Sequence, residues 1–131
     1  MKILLISTNW ETSPYPVYPI GMGMVAAALK QAGHRVELFD FLQNGCSFDA
    51  VRERVESAQP DLVGLSLRNI DNVNAVNEHR YIESVQKIVG CIRETVSSPI
   101  ILGGSAFSIM PEEMLAKVGA DYGVVGEGEV L

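Results

Sequence analysis

Few side chains in this 131-residue sequence have chemistry to offer, and their spacing argues against most of it. Glu127 and Glu129 stand close together in Gly126-Glu127-Gly128-Glu129, but no His, Ser or Lys lies nearby in sequence to complete a general acid–base pair. Cys46 and Cys91 are 45 positions apart and neither has a neighbouring thiol, so the spacing offers no metal site and no disulfide framework. His34 follows the end of one helical pattern and His79 opens another, and both read as surface or helix-start residues rather than ligands. What remains is a chemistry of binding, carried by small residues, backbone donors and neutral hydrogen-bonding groups. It is concentrated in four stretches that each close a hydrophobic run: Ser7-Thr8-Asn9, Ser66-Leu67-Arg68-Asn69, Gly103-Gly104-Ser105 and Gly126-Glu127-Gly128-Glu129.

The runs that deliver these stretches are strands. Ile3 to Ile6, Leu62 to Leu65 and Ile100 to Leu102 are apolar throughout, as strands buried on both faces are, while Arg35 to Phe39 alternates polar and apolar residues. Tyr122 to Val125 reads as a fifth strand. Between them lie helical patterns. Ile20 to Gln31 is rich in alanine and is capped by Gly33, and Phe48 to Ser57 is amphipathic and ended by Pro60. Glu78 to Val96 puts Ile82, Val85, Ile88, Val89 and Ile92 on one face, and Pro111 opens a last helix to Val118. Residues 8–19, with three prolines, Trp10, Tyr15 and Tyr18, have no period and read as a long ordered loop of the kind that carries function.

Strict alternation of strand and helix implies a doubly wound parallel sheet in three α/β/α layers, with the flavodoxin-like (Rossmann-like) order 2-1-3-4-5. Right-handed crossovers then bring all four stretches to the carboxyl edge, where ligands bind at the switch between strands one and three. Gly21-Met22-Gly23-Met24-Val25-Ala26 has the letters of a dinucleotide fingerprint, but it starts too far from strand one. Its glycines read instead as allowing close helix-to-sheet packing. A flavin- or nucleotide-binding flavodoxin-like module is the alternative functional reading, and an interaction scaffold without a ligand is a third. A phosphorelay receiver is excluded by Ser7 and Ser66, which stand where that chemistry needs carboxylates.

Taken in order, Tyr18-Pro19-Ile20-Gly21 leading to Gly33-His34, then Val63-Gly64-Leu65-Ser66-Leu67-Arg68-Asn69, Leu102-Gly103-Gly104-Ser105 with Pro111-Glu112-Glu113, Ala120-Asp121-Tyr122 and Gly126-Glu127-Gly128-Glu129 resemble the N-terminal cobalamin-binding domain of class B radical SAM enzymes. The resemblance covers residues 1–131 as one domain. It implies that a radical SAM domain, holding S-adenosylmethionine and a [4Fe-4S] cluster, follows in a longer parent, where cobalamin most often carries methyl groups. No activity is expected of this portion alone.

Several roles follow from the resemblance. Gly103 and Gly104 would let the chain pass beside the nucleotide tail of cobalamin, with Ser66 and Ser105 hydrogen-bonding to the tail or its base. Arg68 and Asn69 would meet corrin amides or the tail phosphate. Leu67, Gly126, Glu127 and Gly128 would border the corrin rim, with Glu129 leading into the next domain. The sequence departs from cobalamin domains that supply an axial His after strand one, because Thr8 to Pro19 contains none. The resemblance therefore implies base-off cobalamin without a protein His ligand; in place of the His, Trp10, Tyr15 and Tyr18 of the long loop would pack on the lower corrin face, and Thr8 and Asn9 are counted with the cofactor-binding residues.

Composition sets the outer limits. A net charge of −6, with ten scattered Lys and Arg, argues against nucleic acid as a partner. The opening Met1-Lys2-Ile3-Leu4-Leu5-Ile6 is too short for a signal peptide, and no run approaches the ~20 apolar residues of a membrane span, so a reducing cytoplasm is expected.

Overall fold

A computed structural model describes residues 1–9, 20–67, 75–104, 107 and 111–126. Five strands, β1 (Lys2–Ser7), β2 (Arg35–Asp40), β3 (Leu62–Ser66), β4 (Ile100–Gly103) and β5 (Tyr122–Gly123), form one sheet in the order β2-β1-β3-β4-β5. All four pairings are parallel. The helices are α1 (Ile20–Gln31), α2 (Phe48–Ala58), α3 (Ala75–Thr95) and α4 (Pro111–Val118). The expected doubly wound order is thus the observed one.

Local chemistry sets the helix ends. Gly33, at φ +94°, closes α1: its amide donates to the Lys30 carbonyl (3.0 Å) and the His34 amide donates to the Leu29 carbonyl (3.1 Å). These two bonds are a Schellman cap, which glycine permits in the left-handed region. Ser47 caps α2 by accepting from the Ala50 amide (3.1 Å). At its far end Gln59 takes φ +44° just before Pro60. The strand expected over Tyr122 to Val125 shortens to Tyr122–Gly123, because this edge strand has a ladder only to the four-residue β4.

Alternation along the strands divides the core in two. One face carries Leu4, Ile6, Val63, Leu65, Ile100 and Leu102, sealed by Val51 and Val55 of α2, Val85, Ile88 and Ile92 of α3, and Met114 and Val118 of α4. The other carries Ile3 and Leu5 under Met22 and Ala26 of α1. Gly21 corrects one expectation. It is exposed and a Cβ there would meet nothing within 4 Å, so this glycine does not serve close helix-to-sheet packing.

Ionic clips hold the amino edge. The Lys2 amide donates to the Asp61 carboxylate (2.8 Å), and the Asp61 amide donates to the Lys2 carbonyl (2.8 Å). Asp121 accepts from the Ile100 amide (2.8 Å) and from Arg93 (2.9 Å). The amide bond and then the guanidinium hold its carboxyl below the ordinary value of 3.8. His34 lies on this edge, with Nδ1 3.3 Å from the Met1 amino group, and so stands opposite the four small-residue stretches.

Candidate cobalamin site

The described parts of the four stretches meet at the carboxyl edge, joined by the backbone. The Thr8 amide donates to the Ser66 carbonyl (3.2 Å), the Leu67 amide to the Gly103 carbonyl (2.8 Å) and the Val124 amide to the Leu102 carbonyl (2.8 Å). Each bond continues a parallel ladder one step past its strand. The ends of β1, β3, β4 and β5 therefore form a single rim rather than four independent loops.

Within that rim the residues have different roles. Thr8 is fully buried, and its hydroxyl donates to the Ser66 carbonyl (2.9 Å). Its one proton is thereby committed, so the buried phenol of Tyr81 is the donor in the 2.8 Å bond between the two hydroxyls. This tie clamps β1 to β3 and to α3 at the switch point. Tyr81 was not among the expected site residues, although the sequence holds a signal for it. It falls at helical spacing from Val85, Ile88 and Ile92, and a phenol on an apolar stripe requires a partner for its hydroxyl. Ser7 and Asn9 are also buried, whereas Leu67 turns its side chain into the core and spends its amide on Gly103.

The two glycines after β4 separate. Gly104 has φ +100°, and a Cβ there would overlap the Leu67 carbonyl oxygen and stand 2.8 Å from the Leu67 nitrogen. The fold itself demands glycine at that position. Gly103 has no such need: its φ is ordinary, and the nearest atom to an added Cβ is the Val124 carbonyl oxygen at 4.0 Å. By strand alternation and pairing, Ser66 and Gly103 lie side by side on the face that carries Leu5, with Gly64 one step behind them. All three are only partly covered. Ser66 and Gly103 thus make a shallow trough opening at the carboxyl edge, while behind them the place of a Gly64 side chain is taken by Leu5, which an added Cβ would meet at 2.7 Å. Gly126, at φ +88° with nothing within 4 Å of an added Cβ, ends the described rim.

Tyr15, Tyr18, Arg68, Asn69, Ser105, Glu127 and Gly128 lie outside the described residues, as do Trp10, Glu129 and the side chain of His79. Among the described residues no cluster of three or more His, Cys, Asp or Glu is arranged to hold a metal ion. Nor is any described helix long and apolar enough to cross a membrane. A cavity of about 590 Å³ does lie between α2 and α3, lined by Cys46, Arg52, Lys87, Cys91 and Glu94 among others. Arg52 there is committed to Asp49 (2.9 Å) and Glu94 (3.1 Å), and burial pushes both thiols up, away from the reactive thiolate.

A trough of small residues at the β1/β3 switch, whose rim amides are already spent on the ladder, fits a large ligand lying along the edge better than a compact phosphate that needs free backbone donors. The glycines of the dinucleotide-like letters lie inside α1, not in a strand-to-helix turn, which removes the ground for the nucleotide alternative. The B12 binding domain family matches residues 6–131. The chain belongs to that family. It is 27% identical over 130 residues to the tryptophan 2-C-methyltransferase of Streptomyces laurentii, covering 98% of this chain and 21% of that protein. Among solved structures it resembles the radical S-adenosylmethionine methyltransferase TsrM of Kitasatospora setae with cobalamin and a [4Fe-4S] cluster bound, at 28% identity and a TM-score of 0.86 over 98% of this chain and 24% of that one. It also resembles the cobalamin-dependent S-adenosylmethionine radical enzyme OxsB with aqua-cobalamin and S-adenosylmethionine bound, at 25% identity and a TM-score of 0.71 over 98% of this chain and 17% of that one. The B12-binding domain thus spans about a sixth to a quarter of these relatives. The resemblance to the cobalamin-binding domain of class B radical SAM enzymes is borne out.

Proposed function

We propose that this domain holds cobalamin in the base-off form along the carboxyl edge, with no His ligand from the protein, inside a longer radical SAM enzyme. Gly103 carries the reading. Its smallness is unexplained by backbone strain or packing, and it leaves open surface beside Ser66 where a nucleotide tail would lie. Ser66 would offer its hydroxyl to the tail, while Gly104 sets the turn that exposes the trough. Thr8 acts from beneath, by holding the Ser66 carbonyl. Asn9, Leu67 and Gly126 would border the corrin through backbone and short side chains. Tyr15, Tyr18, Arg68, Asn69, Ser105, Glu127 and Gly128 are assigned to the same edge from the sequence alone. When bound, cobalamin supplies a cobalt centre able to carry a methyl group. The S-adenosylmethionine and [4Fe-4S] cluster would belong to a following domain, and methyl transfer to the whole enzyme.

Two observations support the lack of a protein His ligand, while the base-off form follows from the resemblance. Residues 8–19 contain no His, and His34 is on the opposite edge. Titration with hydroxocobalamin, followed by desalting and absorbance, tests the reading. The chain, or its full-length parent, is expected to retain cobalamin with a base-off spectrum. Gly103→Val is expected to abolish retention without lowering the melting temperature. Failure of the parent to retain cobalamin would overturn the assignment. So would nitrogen splitting in the electron paramagnetic resonance of the bound Co(II) form, which would reveal an axial nitrogen on the metal, from cobalamin's own base or from a protein imidazole.

A further inference from the structure

Thr8 and Tyr81 bury two hydroxyls where strand pairing does not need them. The Thr8 amide already joins β1 to β3 at the Ser66 carbonyl (3.2 Å), and the two side chains stand at 0% and 2% exposure against an otherwise apolar cluster. Valine and phenylalanine would fill the same space. Replacing both members of a buried hydrogen-bonded pair by apolar groups of like shape is nearly neutral for stability. What the hydroxyls add is therefore placement of the group they hold.

That group is the peptide between Ser66 and Leu67. The Tyr81 phenol donates to the Thr8 hydroxyl (2.8 Å), which donates to the Ser66 carbonyl (2.9 Å). The Leu67 amide at the other end of the same peptide donates to the Gly103 carbonyl (2.8 Å). All the donors point one way, from α3 through β1 and β3 to β4, so each bond polarises the next. A peptide group is planar, and one held by two donors at its oxygen and by an acceptor at its N–H has little freedom to tilt. Gly104 lies against it as well, with an added Cβ 2.8 Å from the Leu67 nitrogen. The residues at the two ends of this bridge, Ser66 and Gly103, are the residues that make the trough.

We propose that Tyr81 is a positioning residue of the ligand site. Acting through Thr8 and the Ser66–Leu67 peptide, it sets the tilt and spacing of Ser66 and Gly103 from the face of the sheet opposite the trough. The inference rests on the cobalamin reading above and adds to it a residue that touches no ligand. Without the phenol hydroxyl, Thr8 loses its donor, its own hydroxyl is free to turn from Ser66, and the peptide is released at one end.

Two measurements on Tyr81→Phe test the proposal. The matched control is Ile88→Val, a change at a fully buried position two turns along α3. In native-state hydrogen exchange of the chain without ligand, the Thr8 and Leu67 amides of Tyr81→Phe are expected to speed up at least about fivefold more than the Val63 amide, which bonds to Pro99 near the start of β3. A general loss of stability speeds all three amides together, as expected of Ile88→Val. A uniform rise in Tyr81→Phe overturns the proposal. In hydroxocobalamin titration of the full-length parent, the Kd is expected to rise at least about fivefold in Tyr81→Phe and to stay within about twofold in Ile88→Val. Unchanged affinity in Tyr81→Phe, or an equal loss in Ile88→Val, overturns it too. The exchange measurement needs no cobalamin. Selective exchange with no retention by the unsubstituted parent removes the cobalamin reading and keeps the positioning of the trough, whereas retention with uniform exchange removes the role of Tyr81 alone.

Discussion

The two faces of this sheet are made from the same strands, yet one is finished and the other is half open. On the sealed face three helices bury Leu4, Ile6, Val63, Leu65, Ile100 and Leu102, none more than 2% exposed. On the other a single helix protects Ile3 and Leu5, and the neighbouring positions on β3, β4 and β5 shrink to glycine and serine, are only partly covered like Leu62 and Ile101, or are exposed like Tyr122. Stability is concentrated on the first face, and the proposed binding surface lies on the second. The trough at the carboxyl edge exists because the open face is not filled by large side chains.

The contrast is broken most severely on the sealed face. Leu65→Ala is expected to cost about 3 kcal/mol in urea unfolding of the chain, while Ile101→Ala on the open face costs under about 1 kcal/mol; equal losses would show that the open face is packed after all. The paired glycines come next. Gly104→Ala must adopt a left-handed backbone against Leu67 and is expected to lose about 2 kcal/mol, with Gly103→Ala within about 0.5 kcal/mol of the parent by the same measurement. A smaller effect is expected at the clamp. Thr8→Val leaves the Tyr81 hydroxyl facing a methyl group and costs about 1 kcal/mol or somewhat more, with coupling to Tyr81→Phe in a double-mutant cycle.

The smallest effect concerns acid. The Asp121 carboxyl titrates below its ordinary value of 3.8, so its contribution is complete above that pH and is lost as the pH falls through the lowered folded value. Thermal melts from neutral pH downward should therefore fall more steeply for the parent chain than for Asp121→Asn, and parallel curves would remove Asp121 from the amino-edge clip.

Much of the fold was legible because buried parallel strands and amphipathic helices differ in period, and Pro60, Gly33 and Pro111 punctuate them. Strand order followed from handedness and alternation. The internal ties were not legible, since Thr8 and Tyr81 are 73 positions apart and only the crossover of α3 brings them together. Gly103 and Gly104 look identical as letters, and only the dihedral angle separates a glycine the backbone requires from one it merely tolerates. Gly21 shows the reverse error, where a glycine beside an expected contact has open space around it. The family was readable through the order of short motifs at strand ends, which survive as a set even though each alone is common.

The three amide bonds past the strand ends, from Thr8, Leu67 and Val124, have a further consequence. They specify the contour of the rim through the main chain, so side chains such as that of Ser66 can be exchanged without moving the frame that presents them. Affinity for the proposed ligand would therefore be retuned residue by residue, as lettering is changed on a cast plate, while an alteration at Gly104 deforms the plate itself.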